Sequence, residues 1–282
     1  MFYDILVPGE ILWDCCEQER NLAGAPFNFA KHIHRLGAAP FFVSAVGNDD
    51  DGDQIMLRLA GMQIPNELSV SGCKTGICKV TRSPSGENQY DLLKPAAWDD
   101  ITISSAVLQA ADAANAIYFG TLAQRDMASR AAIQQLVTGC FVDKQKVLDV
   151  NLRPPYDDEA VIRWSVEHCD ILKYSAEEKL RLSYALFGQR IDDAQVIAVR
   201  CMDTYGVSIV VETLGKRGAQ AWSSSGENAY ADAPEVKAVS TVGAGDAFIA
   251  AFYVATLRGM PLNGALQYAV NYASRVVAGY IH

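Results

Sequence analysis

Short apolar runs alternate with helical patterns along most of this chain, and this alternation constrains the fold more than any other feature. The runs are too short to be stable helices and are rich in β-branched and aromatic residues, so each one predicts a strand. Strands separated by helices are typical of α/β proteins, in which a mostly parallel central sheet is flanked by helices. The predicted strands are residues 5–8, 41–46, 117–119, 146–150, 170–173 and 208–212.

The helical patterns between these runs have recognisable ends. Phe29, Ile33 and Leu36 recur at helical spacing and are followed by Gly37, a residue type that often terminates helices. The apolar residues of segment 248–255 follow the same spacing before Gly259. Both segments are therefore predicted to be helices that cover the sheet.

Two segments, about 9–20 and 71–98, do not fit the α/β alternation. Polar and apolar residues alternate in them, as in strands with one exposed face, and residues 83–88 have the composition of a turn between two strands. We interpret both segments as a small β lid over a site at the strand ends. The chain shows no repeat or linker, so residues 1–282 are predicted to form a single α/β domain.

Composition and charge exclude several classes of function. The 282 residues are 50% hydrophobic, which is enough for a core without disulfides. The 24 basic and 33 acidic residues give a net charge of −9, which argues against nucleic acid as a partner. The longest apolar run, residues 247–255, is too short to span a membrane, and the chain does not start like a secretory signal. The 7 cysteines form no CxxC pair, so we expect reduced thiols and a cytoplasmic protein.

The most informative motif is a glycine-rich turn that leads directly into a hydrophobic helix, residues 240–248 (STVGAGDAF). Backbone amides at a helix start favour a phosphoryl group or a developing negative charge. Gly243 and Gly245 allow a ligand to approach the backbone closely, and Asp246 could accept a proton from an attacking hydroxyl. The alternative is structural: a tight turn, with Asp246 only stabilising the helix dipole. Neither GxGxxG nor the Walker loop GxxxxGK[ST] is present.

Other segments with polar or small residues follow predicted strands or open helices, where open α/β sheets bind ligands. They are 9–14 (GEILWD), 23–28 (AGAPFN), 47–52 (GNDDDG), 149–153 (DVNLR) and 213–218 (TLGKRG). Together with 95–99 (PAAWD), 119–125 (FGTLAQR) and the glycine-rich turn, they resemble the ribokinase-like (PfkB) carbohydrate kinases, within them the fructokinase branch. The resemblance extends from Gly9 to about Asn271.

The resemblance implies a ribokinase-like α/β fold and transfer of the γ-phosphoryl group of ATP to a sugar hydroxyl, with Mg²⁺ bridging the phosphates. Its small-molecule ligands would be a sugar and ATP. Asp246 resembles the catalytic base, and the amides of Gly243 to Asp246 resemble an anion hole. The remaining implied positions fall into four groups: Gly243, Ala244 and Gly245 in the anion hole; Asp14, Gly24, Asn28 and Arg153 on the sugar; Thr213, Gly215, Gly218 and Asn271 on the nucleotide; and Glu178 on the metal.

Several positions depart from the family pattern. Ser240 stands where relatives usually carry Asp, and Ser175 replaces the asparagine of an NxxE motif while Glu178 is kept. The last helix is expected to end at His282, short of the tail that supplies further cation ligands in relatives. These departures argue against potassium activation. Ala25 stands where ribokinases carry Lys, which favours a hexose over ribose.

Three functions remain open at this stage: a fructokinase, a catalytically weakened sugar-binding or regulatory relative, and a kinase for another sugar or a nucleoside. Trp98 and Asp99 fit either a functional segment or core packing and a helix cap. The open edges of the lid strands could pair two subunits into a homodimer.

Overall fold

The computed structural model describes residues 2–16, 19–82 and 88–281. Their strands are β1 Ile5–Pro8, β2 Leu12–Cys16, β3 Glu19–Ala23, β4 Pro40–Gly47, β5 Asn66–Ser71, β6 Gly76–Arg82, β7 Asn88–Leu92, β8 Ala116–Gly120, β9 Gln145–Asp149, β10 Ile171–Ser175, β11 Ile209–Thr213, β12 Ala219–Ser223 and β13 Asn228–Ala231. Their α-helices are α1 Ala25–Arg35, α2 Asp50–Met62, α3 Ser105–Ala113, α4 Met127–Gly139, α5 Glu159–Glu167, α6 Lys179–Phe187, α7 Ala194–Tyr205, α8 Ala244–Leu257 and α9 Leu262–Val277.

The larger sheet that these residues form has nine strands in the order β13-β12-β11-β10-β9-β8-β1-β4-β5. The seven neighbouring strands from β11 through β1 to β5 all pair in parallel. Strands β12 and β13 extend the sheet antiparallel. The predicted mostly parallel sheet is thus confirmed, and each predicted strand coincides with one of its members within a few residues.

Helices cover both faces of this sheet, and the side chains of each strand alternate between two apolar layers. In β1, Ile5 and Val7 pack into the layer that includes helices α1, α2, α8 and α9. Leu6, between them, packs into the layer formed with α3 to α7. This alternation is the expected consequence of the two-residue period of a strand.

The second sheet has four strands in the order β3-β2-β6-β7 and lies in the two segments that the sequence singles out as a lid. Its pairing is parallel between β2 and β6 and antiparallel at both edges. The segment bounds differ in two places: β3 continues to Ala23, and Ser71 belongs to β5 of the large sheet. Most of the predicted turn at 83–88 lies outside the described residues.

A buried cluster packs the small sheet against the rest of the chain, and Trp98 and Asp99 lie in it. Trp98 is only 1% exposed and packs with Leu12 and Leu92 of the small sheet. Asp99 accepts hydrogen bonds of 2.7 and 2.8 Å from Arg125, whose guanidinium lies over the Trp98 ring. Arg125 also donates to the carbonyl oxygen of Leu92. Trp98 and Asp99 therefore stabilise the contact between the small sheet and the rest of the chain, as the core-packing alternative predicts.

Candidate active site

The carboxyl ends of the central parallel strands, together with the start of α8, surround a cavity of about 590 Å³. This is where open α/β sheets place their ligands. The lining includes ten of the thirteen residues that the sequence nominates: Asp14, Gly24, Asn28, Arg153, Glu178, Thr213, Gly215, Gly243, Gly245 and Asp246. The fold therefore brings together positions that are up to 232 residues apart in the sequence, Asp14 and Asp246.

Asp246 lies in the first turn of α8 and is 8% exposed. The helix begins at Gly243, whose φ of 75° lies in the left-handed region that favours glycine. The side-chain amide of Asn28 donates to Oδ2 of Asp246 at 2.9 Å. Burial raises the pKa of Asp246, while this hydrogen bond and the charge of Lys173 oppose the rise. A carboxylate with a raised pKa is a stronger base, so the position suits removal of a proton from a hydroxyl.

The turn before Asp246 leaves backbone amides free for a ligand. The amide of Ala244 donates to the Thr241 carbonyl at 3.3 Å, and no side chain of the described residues caps this helix. The next amides, those of Gly245 and Asp246, belong to the first turn, where helices have no internal acceptors. Of the predicted anion-hole positions, these two amides are therefore best placed to bind a developing negative charge.

A buried ion pair lies against the same turn. The ammonium of Lys173 is 2.9 and 3.0 Å from the two carboxylate oxygens of Asp149, and both side chains are almost completely buried. A Cβ added to Gly245 would lie only 3.3 Å from the Lys173 Nζ atom. Lys173 therefore places a positive charge beside the glycine-rich turn, at the wall of the cavity.

Glu178 connects the ends of two adjacent strands. One of its carboxylate oxygens accepts the Leu152 amide at 2.6 Å, and the other accepts the Ser175 amide at 2.7 Å. Each oxygen retains a second lone pair toward the cavity, which can bind a metal-bound water. Among the described residues no group of three or more His, Cys, Asp or Glu side chains could hold a metal ion. Glu178 itself is a carboxylate of the kind that Mg²⁺ bound mainly by phosphates and water would use, since such sites need only one or two carboxylates from the protein.

The predicted sugar positions Asp14, Gly24 and Arg153 also line this cavity. Asp14 is half-buried in β2, where burial raises the pKa of its carboxyl. Gly24 has a φ of 121°, and any side chain there would collide with the carbonyl of Glu10. Arg153 is exposed at the cavity and donates to the Leu152 carbonyl at 2.9 Å.

A second cavity of about 880 Å³ adjoins the first, and both are lined by Thr213, Gly215, Thr241 and Gly245. The predicted nucleotide positions Thr213, Gly215 and Gly218 line it, together with Ala244. Asn271 does not: it lies exposed on α9 and accepts a hydrogen bond from Gln267 at 3.2 Å. Helix α9 presents Val270, Ala273 and Ser274 to the cavity instead, so the structure does not place Asn271 with the other nucleotide positions.

The structure adds two residues that the sequence does not single out, Glu10 and Lys173. Glu10 is 2% exposed and lines the first cavity one residue after Gly9. Lys173 is a charged residue within an otherwise apolar strand. The sequence offers two signals for them: a carboxylate two residues after a strand and a lysine inside one. Neither residue type is usually buried without a partner.

The arrangement combines a buried carboxylate, free amides at a helix start, a neighbouring ammonium and two connected cavities. Such a site can deprotonate a hydroxyl in one cavity while a phosphoryl group enters from the other.

No helix in the described part of the chain is long and apolar enough to cross a membrane.

Comparisons with known proteins agree with this chemistry. The chain is 28% identical over 278 residues to the 2-dehydro-3-deoxygluconokinase of Thermoproteus tenax, covering 93% of this chain and 80% of the relative. It is also 28% identical over 291 residues to the ATP-dependent 6-phosphofructokinase of Thermoanaerobacterium thermosaccharolyticum, covering 94% and 85% of the two chains.

Solved structures show the same fold. A fructokinase from Xylella fastidiosa with bound ATP superposes with a TM-score of 0.85 at 19% identity, covering 98% of this chain and 92% of that one. A protein from Escherichia coli provisionally named ribokinase II, in complex with ATP and Mg²⁺, gives 0.82 at 22% identity, covering 98% and 93%. The expected ribokinase-like α/β fold is therefore confirmed. The model of the pfkB family of carbohydrate kinases matches residues 3–280, so this chain belongs to that family of phosphotransferases, which act on sugar hydroxyl groups.

Proposed function

We propose that this protein is an ATP-dependent fructokinase that converts fructose to fructose 6-phosphate. The observation that carries the proposal is the buried carboxylate of Asp246, oriented by Asn28 at 2.9 Å and placed beside free amides at the start of α8. Family membership establishes phosphoryl transfer to a sugar hydroxyl as the reaction class. The identity of the sugar is the proposed part.

The first cavity favours an uncharged sugar. Five acidic side chains line it, among them those of Glu10, Asp14 and Asp246. A sugar acid or a sugar phosphate would bring further negative charge to these groups, which costs binding free energy in a partly desolvated site. Position 25, where ribokinases carry Lys, holds Ala25, whose amide is bonded to Glu10. Both features support a neutral hexose over ribose or a phosphorylated sugar.

The second cavity supports ATP as the phosphoryl donor. Its apolar part, lined by Phe248, Val270 and Val277, suits a purine base, while Lys216 and Lys237 supply cationic side chains. The residues shared with the first cavity, Gly245 among them, would then meet the γ-phosphoryl group. Bound Mg²⁺, next to Glu178, would neutralise charge on the phosphates.

In this mechanism the sugar lies between the carboxyl wall and Asp246. Asp246 accepts the proton of a primary hydroxyl, whose oxygen attacks the γ-phosphorus as the bond to the β-phosphate oxygen breaks. The amides of Gly245 and Asp246 and the ammonium of Lys173 stabilise the charge on the transferring group. ADP leaves with the electron pair of the broken bond.

A coupled assay for ADP release tests the proposal with a panel of fructose, ribose, tagatose, 2-keto-3-deoxygluconate, fructose 6-phosphate and adenosine. Fructose should give the highest kcat/KM. Asp246→Asn should lower kcat roughly 10²–10⁴-fold, as loss of a general base does. The exposed Asp203 provides a matched Asp→Asn control that should leave turnover unchanged.

Three outcomes would contradict the proposal or its assignment of the base. If another acceptor has the higher kcat/KM, the substrate assignment is wrong. Thermal stabilisation by fructose without any ADP release would indicate a sugar-binding relative instead of a kinase. Wild-type turnover in Asp246→Asn would show that another group removes the proton.

A further inference from the structure

Glu10 is a buried carboxyl group in the first cavity that phosphoryl transfer itself does not require. It lies two residues after the end of β1, is 2% exposed, and lines the cavity that Asp246 also lines. Carboxylates are rarely buried to this extent unless something compensates them. Its hydrogen bonds therefore indicate what this part of the cavity binds.

Among the described residues, only one of the two side-chain oxygens of Glu10 has a hydrogen-bond partner. Oε1 accepts the amide of Ala25, the first residue of α1, at 3.3 Å. Oε2 is buried and has no hydrogen-bond partner among the described residues. An unsatisfied buried oxygen costs free energy, so native proteins nearly always supply a donor from protein, water or ligand.

Asp14, across the same cavity, has the same property. Its Oδ1 is buried without a partner in the described part of the chain. The nearby amide side chain of Asn28 is already bonded to Asp246. The cavity thus presents two buried acceptor oxygens without partners among the described residues, and a ligand with several hydroxyl groups would complement them.

We propose that Oε2 of Glu10 accepts a hydrogen bond from a sugar hydroxyl other than the one that is phosphorylated, which makes Glu10 a specificity-determining residue. This inference rests on the proposed function, since it assigns one contact of the sugar in that reaction. A carboxylate acceptor gives a stronger bond than a neutral one, so sugars that lack this hydroxyl are rejected.

The electrostatics of the site agree with such a role. Burial and, to a smaller extent, the charge of Asp246 raise the pKa of Glu10 to about 7, although its own backbone amide, the Ala25 amide and the charge of Arg153 oppose the rise. A hydroxyl donor favours the ionised form of a carboxyl group. A bound sugar would therefore supply the hydrogen-bond donor that Oε2 lacks among the described residues.

The test combines changes in the enzyme with changes in the substrate. Wild type, Glu10→Ala and Glu10→Gln are assayed with fructose, with its 1-deoxy, 3-deoxy and 4-deoxy analogues, and with 2,5-anhydromannitol, which lacks the anomeric hydroxyl. Glu10→Ala should lower kcat/KM for fructose roughly 10- to 100-fold, as loss of a charged hydrogen-bond partner does. For one analogue the same substitution should have almost no effect, because that contact is already absent.

Glu10→Gln keeps the size of the side chain and an acceptor for Ala25, so it guards against misfolding of the alanine variant. It should lose less, roughly 3- to 10-fold, because the neutral amide makes a weaker bond. Glu167→Gln, an exposed position on α5, is the matched control and should behave as wild type with every sugar.

The outcomes separate this inference from the proposed function. If wild type phosphorylates none of the sugars, the proposed function is wrong and the inference is wrong with it. If wild type phosphorylates fructose but Glu10→Ala loses the same factor with all analogues, the inference alone is overturned, because the loss then does not depend on any hydroxyl. Unchanged kcat/KM in folded Glu10→Ala would overturn it equally.

Discussion

The buried pair of Lys173 and Asp149 allows folding and catalysis to be separated by substitution. The two residues lie opposite each other on β10 and β9, and their side chains are 6% and 1% exposed. Lys173→Met would leave Asp149 buried without its cation, which costs roughly 3–5 kcal/mol in pairs of this kind. At about 2–4 °C per kcal/mol, the midpoint of thermal unfolding should fall by roughly 6–20 °C.

A matched control is available at the surface. Lys94 forms an ion pair of 3.1 Å with Asp126, and both side chains are more than one third exposed, 37% and 38%. Solvent screens such pairs, so the same Lys→Met substitution at position 94 should cost less than about 1 kcal/mol. Thermal unfolding followed by circular dichroism compares the two variants under identical conditions.

The double variant Lys173→Met with Asp149→Leu distinguishes the structural role of the pair from its role in phosphoryl transfer. Replacement of both members of a buried pair by apolar residues is often neutral, so most of the lost stability should return. Turnover should not return, because the ammonium beside Gly245 is still absent; we expect kcat about 10²–10³-fold below wild type. A double variant that regains both would show that Lys173 acts only on folding. A Lys173→Met protein no less stable than the position-94 control would refute the reasoning about burial.

Three further predictions follow from charges and hydrogen bonds in the structure. Asn28→Ala removes a hydrogen bond that lowers the pKa of Asp246, so the acid limb of the pH profile of kcat/KM should move to higher pH. The comparison is made in a Glu10→Gln background, because the raised pKa of Glu10 could also shape the acid limb. An acid limb that stays in place there would contradict this prediction. Burial lowers the pKa of His32 to about 3 against 6.5 unfolded, so its contribution to stability is present above pH 6.5 and is lost on acidification, by about 3 kcal/mol at pH 4.5. His32→Gln, which can still bond the Tyr272 hydroxyl, should flatten this dependence in urea unfolding at pH 7.5 and 4.5. Ser240 bonds the Val242 amide and offers no carboxylate, so replacing K⁺ by tetramethylammonium at equal ionic strength should leave activity nearly unchanged; a strong K⁺ requirement would refute this expectation.

The main sheet could be predicted because its strands are buried on both faces and therefore read as continuous apolar runs. Strand β4, for example, is buried along its whole length. Strands at the sheet edges lack this signal: β5 (NELSVS) is mostly half-buried, and β13 consists of four residues of mixed exposure. Neither β5 nor β13 is predicted, because pairing with a neighbour, not local sequence, stabilises an edge strand.

Part of the candidate site could be predicted because the same residues determine both the local backbone geometry and the chemistry. The glycine-rich turn both starts α8 and positions Asp246, so its pattern is visible in the sequence. Glu10 and Lys173 stand out only because they are buried, and their burial depends on the packing of elements that are distant in the sequence. The position of Asn271 depends on the rotation of α9, and successive helical residues point about 100° apart, so a neighbour of a cavity-lining residue can face solvent.

The charge distribution of the first cavity explains how an acidic protein can accommodate ATP. Among the described residues that line it, the five acidic side chains of Glu10, Asp14, Glu177, Glu178 and Asp246 outnumber the three basic ones of Lys173, Arg153 and Arg217. Lys173 is already paired with Asp149, so side-chain charge alone would disfavour a triphosphate. The attraction must then come from helix-start amides, whose partial charges add no net charge to the chain, and from metal bound with the nucleotide. The net charge of −9 is therefore compatible with an anionic substrate, provided that it enters along the amides of α8 and away from the carboxyl groups that face the sugar.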